Sequence, residues 1–297
     1  MKEVNKKRLN SIDFLKVIAI ILVVVFHFWY QASGTNSLRV IGAIGVSIFF
    51  IVSGFSLANK HHNLTKPSLK WFFQKYIKIA SLYYIAILAV ILLFATQSYD
   101  GNLLQNIISH LFFLNPYSQT PYSFISPAWF LTPLIAFYLF FPLLNFLIKK
   151  YRFTLPLFIL ITTLFRDTPQ TFTSPNPLFY LAEFCFGIAL FYNKKDILLL
   201  SPLILLTTTI SNWMILPFAI VYIFYVAETK LPSLRIIKFI GTYTLAIFLF
   251  HESFMNLIYN KWHIYNLSKP IALIVLTIST LFAVMISKRI QKLLLKL

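Results

Sequence analysis

Apolar runs about as long as a bilayer is thick recur along almost the whole chain, at roughly 12–32, 39–58, 77–97, 125–148, 153–165, 178–192, 197–210, 212–227, 237–258 and 271–290. Hydrocarbon offers a peptide backbone no hydrogen-bonding partner, so a segment held there closes its own bonds as a helix. The runs therefore predict an all-α, polytopic integral membrane protein of about ten transmembrane helices, built as one domain over 1–297. Composition agrees: 59% of the 297 residues are hydrophobic and 11% charged, with mean hydropathy +0.77, which excludes an ordinary soluble domain. Four runs (153–165, 178–192, 197–210 and 212–227) fall short of the ~17–25 residues of a lone span and are expected to be broken, or buried between longer helices.

The formal charge of +18 would suggest nucleic acid in a soluble protein. Here its placement gives a different reason. With the N-terminus in the cytoplasm, twenty-one of the 26 Lys and Arg residues fall in inside segments and four fall outside (Arg39, Arg166, Lys261, Lys269); Lys16 lies in the first helix. That asymmetry obeys the positive-inside rule and puts both termini in the cytoplasm. The partner implied by composition is the lipid bilayer, with no nucleic acid. The first run is followed directly by a second and no small-residue cleavage site intervenes, so it reads as a retained helix and not a signal peptide. One cysteine, Cys185, excludes an intrachain disulfide. The stretch 98–126 is the longest external loop, and 103–114 within it is expected to lie as an amphipathic interfacial helix. No internal repeat and no appended soluble catalytic domain is visible, so chemistry is expected inside the membrane body.

Ionisable residues within the apolar runs are the functional candidates, since each costs roughly 2.5–3.5 kcal/mol on insertion scales. Lys16 and His27 are separated by ten residues, all hydrophobic. Eleven helical residues advance about 16 Å and turn through about 1100°, which returns His27 to the face of Lys16. The topology places His27 in the outer half of the membrane and brings His251, Glu252 and Glu183 to a similar height. A second level forms at the cytoplasmic side: Asp13 one turn before Lys16, a spacing that allows pairing, then Ser53 and Gly54 late in the second helix, and Lys75 and Lys78 near the start of the third. Cations gathered at an inner mouth suit a phosphate-bearing cofactor, with no metal implied. Other readings stand beside these. His27 can be an interhelical hydrogen-bonding residue, His251 and Glu252 an interfacial cap, Glu183 an unrelated polar contact, Lys75 and Lys78 topological anchors, and Trp129 part of an interfacial aromatic belt.

Several stretches resemble one family. Leu9 to Lys16 followed by His27 is similar to the basic residue, ten-residue spacer and histidine of the membrane-bound acyltransferase-3 family, bacterial enzymes that O-acylate cell-surface glycans and related acceptors. Gly45-Val46-Ser47-Ile48-Phe49-Phe50-Ile51-Val52-Ser53-Gly54-Phe55 resembles its second-helix stretch. Lys75-x-x-Lys78 stands where the family has an Arg-x-x-Arg pair. Pro127-Ala128-Trp129-Phe130-Leu131 and Gly241-Thr242-Tyr243-Thr244 to Phe250-His251 resemble two later segments. At 16, 75 and 78 the chain has Lys where the family prefers Arg, which keeps charge but not bidentate phosphate geometry.

The resemblance implies a multi-pass protein of the bacterial cytoplasmic (inner) membrane that transfers acetyl from acetyl-CoA, or another acyl-CoA, to a hydroxyl of a glycan or lipid-linked sugar. In that reading His27 is the general base. Lys16, Lys75 and Lys78 hold CoA phosphates, Asp13 positions Lys16, and Ser53 with Gly54 let the donor approach the helix backbone. His251, Glu252, Glu183 and Trp129 serve the acceptor or orient His27. The competing class is a transporter or flippase using His27 and Glu183 as a proton relay; it predicts repeats and Gly/Pro-broken helix pairs in matching positions of two halves, whereas no repeat is visible and the chain has seven Gly.

Overall fold

A computed structural model describes residues 8–93, 103–117, 125–166, 174–194, 215–256 and part of 274–292. The described residues form helices and no strand. They are α1 (Asn10–Ser33), α2 (Arg39–His61), α3 (Leu69–Leu93), α4 (Leu103–Leu111), α5 (Leu131–Lys150), α6 (Thr154–Phe165), α7 (Leu181–Phe191), α8 (Leu216–Val226) and α9 (Arg235–Asn256). Short 3-10 turns, Ser126–Phe130 and Pro177–Tyr180, lead into α5 and α7.

Among the described residues, four helices are long and apolar enough to cross a membrane: Asn10–Ser33, Arg39–His61, Leu69–Leu92 and Ser126–Lys150. Three apolar helices are shorter: Thr154–Phe165, Pro177–Phe191 and Leu216–Val226. These correspond to runs expected to be short, and α7 is buried along nearly its full length. The run 197–210 lies outside the described residues and 271–290 lies partly outside, so ten spans are not all accounted for. One boundary is corrected: α3 starts at Leu69 and not near 77, because Leu69 to Phe73 continue the helix through the lysine-bearing turns.

Helix directions follow from side-chain register. Asp13 meets Gly241 and His27 meets His251, a nearly constant offset, so α1 and α9 run parallel. Ser47 meets Glu183 and Gly54 meets Phe184 and Ile188, so α2 and α7 also run parallel. The turn at Gly34, with φ of 66°, reverses the chain between α1 and α2. At the α2–α7 crossing, a Cβ on Gly54 would lie 2.0 Å from the Phe184 carbonyl oxygen, and one on Gly187 2.0 Å from that of Ile51. Only paired glycines permit backbones this close.

The helix expected to lie at the interface does form, but it is turned inside out relative to a soluble amphipathic helix. Leu104 and Phe112 are 64% and 68% exposed, whereas Asn106 and His110 are 3% and 0% exposed. His110 Nδ1 bonds Tyr83 Oη, and Tyr84 Oη donates to the Leu111 carbonyl at 2.6 Å. These bonds pin α4 to the middle of α3. Apolar side chains outward and polar ones inward is the polarity a lipid-facing helix requires.

Candidate functional site

The α1–α9 seam contains the centre of the site. His27 Nδ1 lies 2.6 Å from His251 Nε2, with the rings stacked at 4.9 Å between centroids and 14° between planes. On its other side His251 Nδ1 is 2.8 Å from the Phe248 carbonyl and 3.2 Å from that of Ile247. Carbonyl oxygens only accept, so His251 Nδ1 carries a proton and donates it. In the neutral pair His251 Nε2 is then an acceptor, His27 Nδ1 donates to it, and His27 Nε2 keeps a bare lone pair. The chain of bonds thus assigns one atom as the available base. His251 itself is buried at 1% exposure and also borders an apolar groove between α1 and α9.

His27 lines a cavity of about 50 Å³ with Arg39, Gly42, Trp129 and Phe248. A second cavity of about 270 Å³ lies toward the opposite ends of α1 and α9, lined by Lys16, Ser53, Ser56, Lys60, Lys75, Tyr138 and Thr242. Phe248 borders both. It packs on Phe130 at 5.0 Å and edge-on to Phe49 at 6.0 Å, two rings that line the larger cavity with it. The larger cavity thus has three lysines and several hydroxyls on its wall; the smaller has His27. Lys16 and His27 do share a face of α1, as the helical turn count required.

The structure separates other candidates from this pair. Lys75 lines the large cavity and stands 5.8 Å over the Trp71 ring, whereas Lys78, on the same side of α3, is exposed outside it. The hydrogen bonds of Asp13 go to Arg8 and not to Lys16. Its carboxylate accepts two bonds from Arg8, at 2.5 and 2.9 Å, and Arg8 also donates to Thr242 Oγ1 and the Lys238 carbonyl. The preceding turn brings a guanidinium whose bidentate reach an ammonium lacks, so Asp13 ties α1 to α9. Ser53 and Gly54 divide: Ser53 lines the cavity, while Gly54 faces α7 and has no approach to it.

Glu183 is not level with His27. Its Oε1 accepts from Arg166 and from Ser47 Oγ, and Ser47 lies five residues along α2 from Gly42, which packs on Phe26. At 1.5 Å per residue that places Glu183 about 7.5 Å deeper. Arg166, expected in an external loop, is 4% exposed and bonded inside the bundle. Glu252 turns away from His251 toward Ser126, whose hydroxyl it accepts. Trp129, 7% exposed, sits in the wall of the His27 cavity and not in a lipid-facing belt.

Sequence reasoning missed Lys60, Ser56, Arg8 and Arg39. The signal for two of them was present: Ser53, Ser56 and Lys60 follow the 3-4 spacing of one helical face. Arg8 precedes the helix it anchors, and its partners Thr242 and Lys238 are more than 200 residues away, so no local pattern announced it.

The family model described as an acyltransferase domain, that of the acyltransferase-3 family, matches residues 9–289, nearly the whole chain. No curated protein and no solved structure matches the chain.

Proposed function

Because the chain belongs to the acyltransferase-3 family and is a multi-pass membrane acyltransferase, we propose that it is an O-acetyltransferase of the bacterial cytoplasmic membrane. In this reading it takes acetyl from acetyl-CoA at the lysine-lined cavity and gives it to a hydroxyl of a glycan or lipid-linked sugar at the His27 cavity. The observation that carries the proposal is that His27, bonded through Nδ1 to His251, lines a cavity that shares Phe248 with a cationic one. Lys16, Lys60 and Lys75 hold the donor's phosphates by charge. Ser53, Ser56 and Thr242 add hydroxyl donors along the same wall.

The thioester end reaches His27 past Phe248. His27 Nε2 removes the proton of the acceptor hydroxyl as its oxygen attacks the thioester carbonyl. The new C–O bond forms, the C–S bond breaks, and the proton passes to the departing thiolate. His251 keeps the His27 ring in the required tautomer and orientation, a positioning role. General base catalysis of this kind contributes typically 10² to 10⁴ in rate.

The test is to incubate membranes containing the protein or its His27→Ala variant with radiolabelled acetyl-CoA and to measure ester-linked label on glycan and lipid fractions. Label that requires His27 supports the reading. Equal labelling at equal protein level would falsify it.

A further inference from the structure

The apolar groove that His251 borders lies on a different face of the α1–α9 seam from the large cavity. On α9, Ile240, Ile247 and His251 recur at helical spacing along the groove, while Gly241, Leu245 and Phe248 line the large cavity. The one-residue offset turns the two sets about 100° apart. The groove has a floor and a rim: Ile20, His251 and Thr280 are buried at its base, and Ile21, Ile236 and Phe239 stand exposed along its edges. Among the described residues no charged side chain lines it, in a chain of formal charge +18. Such a wall matches an uncharged hydrocarbon chain.

Length narrows the choice of chain. The groove starts at Ile236, one residue into α9 and toward the cytoplasmic end by the charge asymmetry, and it ends at His251. Between those residues α9 advances about 22 Å. One leaflet offers about 15 Å of hydrocarbon, half of the ~30 Å core, so a fatty chain of an ordinary bilayer lipid fills only part of the groove. The volume of about 330 Å³, spread over about 22 Å, leaves room for one chain and not for two abreast. Thr280 adds a second observation, since its hydroxyl oxygen is buried and has no hydrogen-bond partner among the described residues. A saturated chain offers that hydroxyl nothing, whereas carbon–carbon double bonds offer a weak π acceptor.

We infer that the groove holds the single long isoprenoid chain of a lipid-linked acceptor, with its head group at the His251 end, beside the bond to His27. This rests on the proposed acyl transfer for its purpose, and of the two acceptor classes it selects the lipid-linked sugar over the free glycan. The donor's cavity and the acceptor's chain then use different faces of α9, so neither obstructs the other. Chain binding is measurable without turnover.

The experiment measures binding of solanesyl phosphate, farnesyl phosphate and dioleoylphosphatidylglycerol to the purified protein in detergent micelles, by displacement of tritiated solanesyl phosphate. Solanesyl is long enough for the whole groove; the other two have the reach of about one leaflet. The unaltered protein is expected to bind solanesyl phosphate at least tenfold more tightly than either. Val24→Trp and Ile240→Trp fill the groove from its two walls and abolish that preference, while Leu88→Trp, exposed on α3 outside the groove, keeps it. Melting temperatures establish folding, and one folded groove variant suffices. No saturable binding of the tritiated probe, phosphatidylglycerol or farnesyl phosphate matching solanesyl phosphate, or a preference that survives in a folded groove variant overturns the inference. In membranes given radiolabelled acetyl-CoA, label is expected in the lipid fraction and is lost from it in the groove variants. Chain preference without any transfer sinks the acyltransferase reading and leaves the chain site standing. His27-dependent label confined to water-soluble glycan and unchanged in the groove variants keeps the transferase and removes the chain site.

Discussion

Two buried polar centres sit on parallel helix pairs, and they are built to opposite specifications. Between α2 and α7, Glu183 bonds Arg166 and Ser47, and Arg166 also donates from Nε to the Phe179 carbonyl at 2.8 Å and lies 4.8 Å from the Phe179 ring. Full opposite charges are matched there and enclosed by protein. Between α1 and α9, His27 and His251 are joined by a single bond of 2.6 Å, and a cavity adjoins them. The first centre is closed by protein around its ion pair, with both of Glu183's bonds on Oε1 and buried Oε2 left without one. The second keeps a nitrogen for something else. A buried polar group alone therefore does not mark a site; an open cavity beside it does.

Five substitutions test that contrast, taken from the largest effect down. His27→Ala should lower transfer by about 10² to 10⁴ while the melting temperature stays within a few degrees; a collapse of folding instead would make the histidine pair a structural centre like the other. Glu183→Ala should do the reverse, because it leaves the Arg166 guanidinium buried without its counter-ion. The expected loss is about 3–5 kcal/mol of stability, read as a lowered melting temperature in detergent, with the specific activity of the folded fraction retained. Selective loss of activity in a stable Glu183→Ala protein would move Glu183 back into the site.

His251→Ala should cost about tenfold to a hundredfold in transfer, less than His27→Ala, since it removes the orientation of the base and not the base. An effect equal to or larger than that of His27→Ala would reverse the two roles. The smallest expected effect separates two lysines that sequence spacing treats alike. Lys75→Ala should raise the KM for acetyl-CoA about fivefold, close to 1 kcal/mol, and Lys78→Ala less than about twofold, as its side chain is exposed outside the cavity. Equal shifts would show that general positive charge, and not the cavity wall, attracts the donor.

The contrast also explains what was legible in the sequence. His27 and Lys16 could be placed on one face of α1 because a helix has a fixed turn per residue, and the apolar run between them made both conspicuous. The pairing of Asp13 could not be read the same way: helical spacing offered Lys16, while Arg8 reached the carboxylate from outside the helix. Glu183 resembled His27 in sequence context, an ionisable residue in an apolar run. Its depth depended on a crossing with α2 that the sequence does not encode locally. Ser53 and Gly54 are neighbours in sequence and face opposite sides of their helix, one toward the cavity and one toward α7.

What the sequence by itself determined is the solvent and the periodic geometry. Long apolar runs require helices in lipid, charge asymmetry orients them, and 3.6 residues per turn set which residues share a face. Family membership was legible too, through motifs distributed from end to end. The tertiary structure alone decided which faces meet. His251 was one ambiguous residue near a helix end until the parallel packing of α1 and α9 placed its nitrogen against His27. Local sequence specifies a side chain's angle about its own helix axis, and the partner across the seam depends on close contacts between residues up to 234 positions apart.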